Sequence, residues 1–199
     1  MVFIEFIMEK IIIIGGGGHS HSCIDVIEQQ GKYSIEGIID IKEELGTKIM
    51  GYPVIGRDED IPELCKSVKN FHIAIGQIKK PEIRIRLFQA VKSAGGILPV
   101  IVSPLAYVSK HATIGEGSII MHYAVVNAGA QIGVNSIINI KAIVEYDAYV
   151  GNHCHVSEGA ILNGEAQLCD RSFLGSNAVS LQSVIIPPDS FIKAYTLVK

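Results

Sequence analysis

Residues 102–197 divide into sixteen consecutive hexapeptides with no insertion or deletion. From Val102 onward every sixth residue is aliphatic, through Val108, Ile114 and Ile120 to Ile192, and Ser180 is the one departure. Four residues further into each unit the side chain is nearly always small, as at Ala106, Ala124, Ser136, Cys154 and Ala178. A six-residue period is too short for a helical repeat. It fits a short parallel strand and a turn, with each aliphatic side chain stacked on its equivalent in the next coil. No single coil can bury its own inner face, so the units stand only as a stack. The pattern predicts a parallel β-helix over residues 102–199. Gly or Asn often follows the aliphatic residue, as at Gly115, Asn127, Gly133, Asn139, Gly151, Asn163 and Gly175. The left-handed corner conformation is therefore expected at that second position.

The first half of the chain follows another rule. Lys10–Ile14 is a continuous aliphatic run, as in a strand buried on both faces. Gly15–Gly18 and His19-Ser20-His21 come next, then a helical pattern through Ile24, Val26 and Ile27 that ends near Gly31. Further strands are expected at Ile35–Ile39, Phe71–Ile75 and Ile97–Val102, with a second helix from Pro81 to Gly95. Strand and helix in alternation imply a small parallel α/β domain. The expected organisation is an uncertain leader at 1–9, the α/β domain at 10–101 and the β-helix at 102–199.

Gly15–Gly18 is a candidate phosphate loop, because a glycine turn between strand and helix brings bare N–H groups to the helix N-terminus. The dinucleotide spacing lacks its last glycine, so a tight turn without ligand is the plainer alternative. Asp40 closes the second strand, where such folds meet a ribose or a base, although it could equally be a solvated strand end. Gly76, after the third strand, would border the same crevice.

Composition narrows the function classes. The net charge of −3 comes with no basic block, which argues against nucleic acid as a partner. The four cysteines lack CxxC spacing, so a reducing cytoplasm is the default and a disulfide framework is not expected. The apolar start MVFIEFIM is too short for a membrane span and lacks a cationic start, so no membrane span is expected.

Taken together, GGGGH at 15–19, the strand ending in Asp40, AIG at 74–76 and the hexad array resemble the bacterial sugar acetyltransferases of the NeuD/PglD type. The resemblance spans about residues 10–199. It implies an α/β Rossmann-like N-terminal domain followed by a left-handed parallel β-helix of hexapeptide repeats. It also implies acetyl transfer from acetyl-CoA to an amino group of a nucleotide-activated amino sugar, or to a hydroxyl of a sialic-acid-like sugar. A homotrimer with sites between subunits is implied as well. Gly17, Gly18, His19, Asp40 and Gly76 match the family's substrate side. Gly175, Ser176 and Ala194, with His155, match positions along the acetyl-CoA arm. Lys193 and Tyr195 are bulkier than the Gly and Ala usual there, and the tail reads as shorter than the family's.

The segment IVEYDAYVGNHCH (143–155) matches the catalytic stretch, with Asp147 and His155 in their expected places. Tyr146 stands where the family has a histidine. An amine attacking a thioester must lose a proton, and imidazole, near 6.5, is suited to take it. A phenol titrates near 10, so only about one part in a thousand is ionised at neutral pH. Three readings stay open: His155 as the base, an acceptor needing little help, or an impaired homologue that binds sugar nucleotide without turnover. Tyr146 also falls between Ala128 and Gly164 of neighbouring coils, which suggests a groove beside it. Asn127, Glu145 and Asn163 should form one polar column. His111, His122, His153 and His155 do not share a column, so no metal is expected, and no Ser-His-Asp spacing is evident.

Overall fold

The computed structural model describes residues 8–41 and 44–199. Most of the expected leader, residues 1–7, lies outside them, and Glu9 already belongs to the first strand. The N-terminal domain runs β1 (Glu9–Ile14), α1 (Gly18–Gln30), β2 (Tyr33–Ile39), β3 (Lys48–Ile49), β4 (Tyr52–Gly56), α2 (Ile61–Leu64), β5 (Asn70–Ile73) and α3 (Glu82–Ser93). The sheet order is β3-β4-β2-β1-β5, parallel except for the β3–β4 edge pair. β1 lies inside the sheet, between β2 and β5, and its side chains have apolar partners on both faces. Ile11 and Ile13 pack with Cys23, Ile24 and Ile27 of α1, whereas Ile12 and Ile14 pack with Phe71, Leu87 and Val91 toward α3.

Three of the expected elements differ from those observed. The first helix begins at Gly18, before His19-Ser20-His21 and not after them, so His19 sits in its first turn. The third strand stops at Ile73. Residues 97–102 are not one strand: Ile97 makes a lone bridge to Asn70, and Ile101–Val102 already belongs to the solenoid. The hairpin β3–β4 and the short α2 carry too few residues for a periodic signal, and Pro53 lies within β4.

The solenoid is a left-handed parallel β-helix with three faces of two-residue strands. Face 1 starts at Ile101–Val102, face 2 at Tyr107–Val108 and face 3 at Thr113–Ile114. Each strand pairs in parallel with the one a full coil ahead, as Val125 does with Ile143 and Ile143 with Ile161. The aliphatic position and the small position both point inward. Ile120, Val126, Ile138, Val144 and Leu162 form one fully buried cluster with Ala124, Ala142, Ala160 and Ala178. Each such aliphatic side chain contributes roughly 1.5–3 kcal/mol.

The corners are not where the second-position glycines suggested. The fourth residue of each hexad from Gly117 to Tyr195 is left-handed, and most of these residues are not glycine, among them Asn135, Asp147 and His153. The strain is offset by a backbone bond to the preceding coil, such as Asp147 N–H to the Ala128 carbonyl at 3.0 Å and His153 N–H to Val134 at 2.8 Å. The second-position glycines serve close stacking instead. A Cβ on Gly133 would meet the carbonyl carbon of Gly151 at 2.5 Å, and one on Gly115 would meet that of Gly133 at 2.6 Å.

The two halves are fastened by α1, which lies between the sheet and face 1, where Ile101, Ile119, Met121 and Ile137 cover it. A polar relay borders this contact. Ser103 Oγ lies 2.6 Å from His122 Nδ1, and His122 Nε2 lies 2.7 Å from Asp25 of α1. The fold thus assembles a Ser-His-Asp set that sequence spacing does not show. Ser103 is buried, and its oxygen also accepts the Leu105 N–H at 3.0 Å. The relay is a clamp between domains.

Two outcomes test this account. Gly133→Ala should cost about 1–3 kcal/mol in chemical denaturation, because the obstructing atoms are backbone. The His122 hydrogen bond, opposed in part by burial, holds the Asp25 carboxyl below its ordinary range. A depressed carboxylate stabilises above its unfolded value and loses that contribution as pH falls through the folded value. Asp25→Asn should therefore lower Tm at pH 7, with the difference fading below about pH 4.

Candidate active site

Three parallel strands end side by side at a switch in strand order, with β2 on one side of β1 and β5 on the other. Their C-terminal ends carry Gly15, Asp40 and Gly76, the usual place for a ligand in such sheets. Gly15 turns the chain with φ +98, and its N–H reaches the Ile39 carbonyl at 2.8 Å. A side chain on Gly16 would run into Ile49 and the Asp40 carboxylate. Gly17 and Gly18 differ: a Cβ on either would meet nothing within 4 Å. Nothing inside the protein demands glycine there, and the space they leave opens into the crevice.

Gly17 is the N-cap of α1, yet no side chain caps the helix and its first turn holds no acidic residue. Open N–H groups and the positive end of the helix dipole therefore face a cavity of about 430 Å³. Gly15–Gly18, His19, Asp40, Gly76 and Ile78 line it. A second cavity of about 440 Å³ adjoins it and shares Gly15, Asp40 and Ile75. Its far wall carries Arg57, Asp58, Glu59 and Arg86, with an Arg86–Asp58 ion pair at 2.7 Å. The sequence reading passed over these four. The charged run after Gly56 was visible, but nothing in it marked the turn as facing the crevice.

His19 points from the helix start toward His155, with ring centroids 6.5 Å apart. Burial, then the charge of Arg84, pushes the His19 ring down to about 3, and its Nε2 has no partner. His155 lies in the outward row of face 1, the row that begins with Ile101, Ile119 and Ile137. Its Nδ1–H donates to the Gln77 carbonyl at 2.5 Å, and its Nε2 accepts from Asn139 Nδ2 at 3.1 Å. Burial holds this ring down, at about 4. Both nitrogens are thus committed, and the ring anchors the Gly76–Gln77 segment to the solenoid. Asn139 also donates to Glu158 at 2.8 Å, and Ser157 and Ser176 donate to the same carboxylate. Burial opposes the charge on Glu158, but the Ser157, backbone and Ser176 hydrogen bonds keep its carboxyl below the ordinary range. Beyond His155 the row continues with Phe173 and Phe191, whose rings stack 5.2 Å apart.

The residues expected at the site thus fall into two places. Gly17, Gly18, His19, Asp40 and Gly76 share the crevice. His155 adjoins it, and Ser176 joins His155 through Glu158 and Asn139. Gly175 has a packing reason of its own, since a Cβ would meet the Ala194 nitrogen at 2.6 Å; Ala194 itself is exposed. Tyr146 and Asp147 stand elsewhere, at the corner between faces 2 and 3, opposite face 1. One chain does not bring them to His155. The Tyr146 ring itself covers Gly164 of the next coil, and its hydroxyl accepts from Gln182 Nε2 at 3.0 Å. In the expected polar column Asn127 donates to Glu145 at 2.8 Å, while Asn163 turns to the Ser180 carbonyl at 2.6 Å. No group of three or more His, Cys, Asp or Glu among the described residues could hold a metal ion.

An α/β domain with a crevice at its strand ends, set against a hexapeptide β-helix, is the architecture of the hexapeptide-repeat acyltransferases with which the chain compares. Residues 10–91 match the PglD N-terminal domain family. The chain is 28% identical over 181 residues to the GDP-perosamine N-acetyltransferase of Escherichia coli O157:H7, covering 86% of this chain and 78% of that relative. It superposes on the acetyltransferase domain of PglB from Neisseria gonorrhoeae FA1090 in complex with acetyl coenzyme A, at TM-score 0.87 and 28% identity. That match covers 96% of this chain and 93% of the other. PerB from Caulobacter crescentus, at 24% identity and TM-score 0.67 over 94% and 92% of the two chains, shares the fold. Over nearly its whole length the chain is thus similar in sequence and fold to sugar acetyltransferases of the NeuD/PglD type.

The buried histidines make a pH prediction. Burial pushes His19 and His72 down to about 3 and His155 to about 4. Between those values and the unfolded value near 6.5, the unfolded chain binds more protons. Stability should therefore rise with pH from about 4 to 6.5 and level off above it. Replacing His72, whose two nitrogens have no partner, by Phe should flatten that rise in Tm measured against pH.

Proposed function

We propose that the chain is an acetyl-CoA-dependent N-acetyltransferase acting on a nucleotide-activated amino sugar in bacterial surface-glycan synthesis. The observation that carries the reading is the uncapped N-terminus of α1 over the crevice, a built receptor for an anion. A diphosphate would take the Gly17–His19 N–H groups, and Asp40 would meet the ribose. The base would lie in the adjoining cavity against Arg57, Asp58 and Glu59. The names of the relatives, one acting on GDP-perosamine and one holding acetyl coenzyme A, support the same pairing of substrates. The CoA arm would pass Ser176 and Ala194, bringing its thioester toward His155.

In the reaction the amine attacks the thioester carbonyl, the CoA thiolate leaves, and the amine nitrogen gives up a proton. His155 has no free lone pair for that proton. Its role here is to hold the crevice wall. Tyr146 and Asp147 can act only if a second copy delivers that corner to the crevice. We therefore place the chain in a homotrimer with sites between subunits. Exposed Tyr107, Tyr123, Leu181, Ile185 and Leu197 on the solenoid support such contacts. No helix among the described residues is long and apolar enough to cross a membrane. The free cysteines fit a reducing cytoplasm.

A second reading is favoured by one observation: the Tyr146 hydroxyl is engaged by Gln182 and its ring lies over the next coil. A side chain so engaged within its own chain is held away from an acceptor, and the protein would then be a slow or impaired member that still binds sugar nucleotide. Thiol release from acetyl-CoA, measured with a panel of nucleotide amino sugars and free sialic-acid-like sugars, separates these. Preference for a free sugar hydroxyl would overturn the amino-acceptor reading. Tyr146→His should raise kcat by tenfold or more and bring an acid limb near pH 6.5. An unchanged rate would remove Tyr146 from the chemistry.

A further inference from the structure

Arg84, in α3, heads the side chains that the fold buries completely. Its Nη1 donates to the carbonyls of Ile73 at 2.8 Å and Ile75 at 2.7 Å. Its Nη2 donates to the backbone carbonyl of Asn135 at 3.2 Å and to the Asn135 side-chain oxygen at 2.7 Å. All four acceptors are neutral dipoles. Among the described residues no carboxylate pairs with it, and its Nε has no partner. Of the other acids near the crevice, Asp40 accepts the Ile41 N–H, Asp58 pairs with Arg86, and Glu158 accepts Ser157, Ser176 and Asn139. A buried cation is costly, and carbonyl dipoles repay only part of that cost, so such charges are normally paired.

The position of the charge matters. Ile75 lines both cavities and immediately precedes Gly76, so the guanidinium sits directly behind the wall that faces the Gly17–His19 turn. Its field is felt by His19, His72, His153 and His155. In a poorly polarisable interior such a field falls off slowly. It adds to the helix dipole of α1, and both favour negative charge at the same place.

We propose that Arg84 is a positioning residue whose buried charge is the fixed counter-charge for a nucleoside diphosphate in the crevice, which it never touches. The inference rests on the reading of the crevice as a nucleotide site. Arg84 has two separable parts: a charge, and a fork that ties the Ile73–Ile75 backbone to the solenoid. Lysine keeps the first and loses the second. Asn135→Asp does the reverse: it keeps an acceptor for the fork and sets a carboxylate against it, at the loss of the Asn135 Nδ2 bonds to the Arg84 carbonyl at 3.2 Å and His153 Nδ1 at 3.0 Å.

Calorimetric titration of the full chain with UDP and GDP, and with uridine and guanosine, separates these parts. Arg84→Gln and Asn135→Asp should each weaken the better-bound diphosphate about tenfold, with the matching nucleoside changed less than about twofold. Arg84→Lys should keep most of the diphosphate affinity. In turnover, KM for the nucleotide sugar should rise while kcat holds. If Arg84→Gln does not fold, Asn135→Asp decides, since it removes no side chain. Equal losses for nucleoside and diphosphate, or full diphosphate affinity in Asn135→Asp, would overturn the inference while leaving the crevice reading intact. A wild-type chain that binds neither diphosphate would overturn both.

Discussion

The parallel bond between one coil and the next governs this molecule. Each coil sets its N–H groups on the carbonyls of the following coil, eighteen residues ahead, as Val125 pairs with Ile143. Every side chain therefore stands on its equivalent, and a row of the solenoid runs through five or six strands. The outward row of face 1 shows the consequence. Its first three members, Ile101, Ile119 and Ile137, form the seat on which α1 packs, and its next member is His155. Docking surface and crevice wall are one row, so the distance from anchor to site is counted in coils. An inserted residue would turn His155 off that face.

The N-terminal domain completes the arrangement by presenting strand ends to the same row. Gln77, just past β5, links the crevice to both His153 and His155. Burial keeps the His19, His72 and His155 rings neutral; behind the wall stand Arg84 and the helix dipole at Gly17, Glu158 is held by two serines, and Asp40, Arg57, Asp58, Glu59 and Arg86 carry the charges that line the cavities. A region with a buried cation, open amides and an engaged carboxylate is electrostatically prepared for an anion, in keeping with the proposed diphosphate. The cost of burying Arg84 without a carboxylate is what such preparation would require.

Much of the fold was legible because the signals were periodic and local. The aliphatic run of β1, the glycine turn and sixteen hexads each state their geometry within a few residues. The elements that were missed, β3, β4 and α2, are too short to repeat anything, and Pro53 obscures one of them. The corner position was misread for a physical reason. Glycine frees φ, but here the left-handed residue is set by a backbone bond to the preceding coil, which Asn135, Asp147 and His153 accept. The glycines at the second position answer to a different demand, the close approach of neighbouring coils.

The candidate site divides along the same line. Register and motif put Gly17, His19, Asp40, Gly76 and His155 in view, because each is defined by its place in a strand–turn–helix or in a hexad. Only the tertiary structure decided that His155 spends both nitrogens on Gln77 and Asn139, that Tyr146 stands on the opposite corner, and that Arg84 is buried without a counter-ion. It alone joined Asp25, Ser103 and His122. Periodicity determines what repeats along one chain, and hence the solenoid and the order of its rows. Hydrogen-bond partners, burial and charge arise where segments far apart in sequence meet, and no local pattern encodes them.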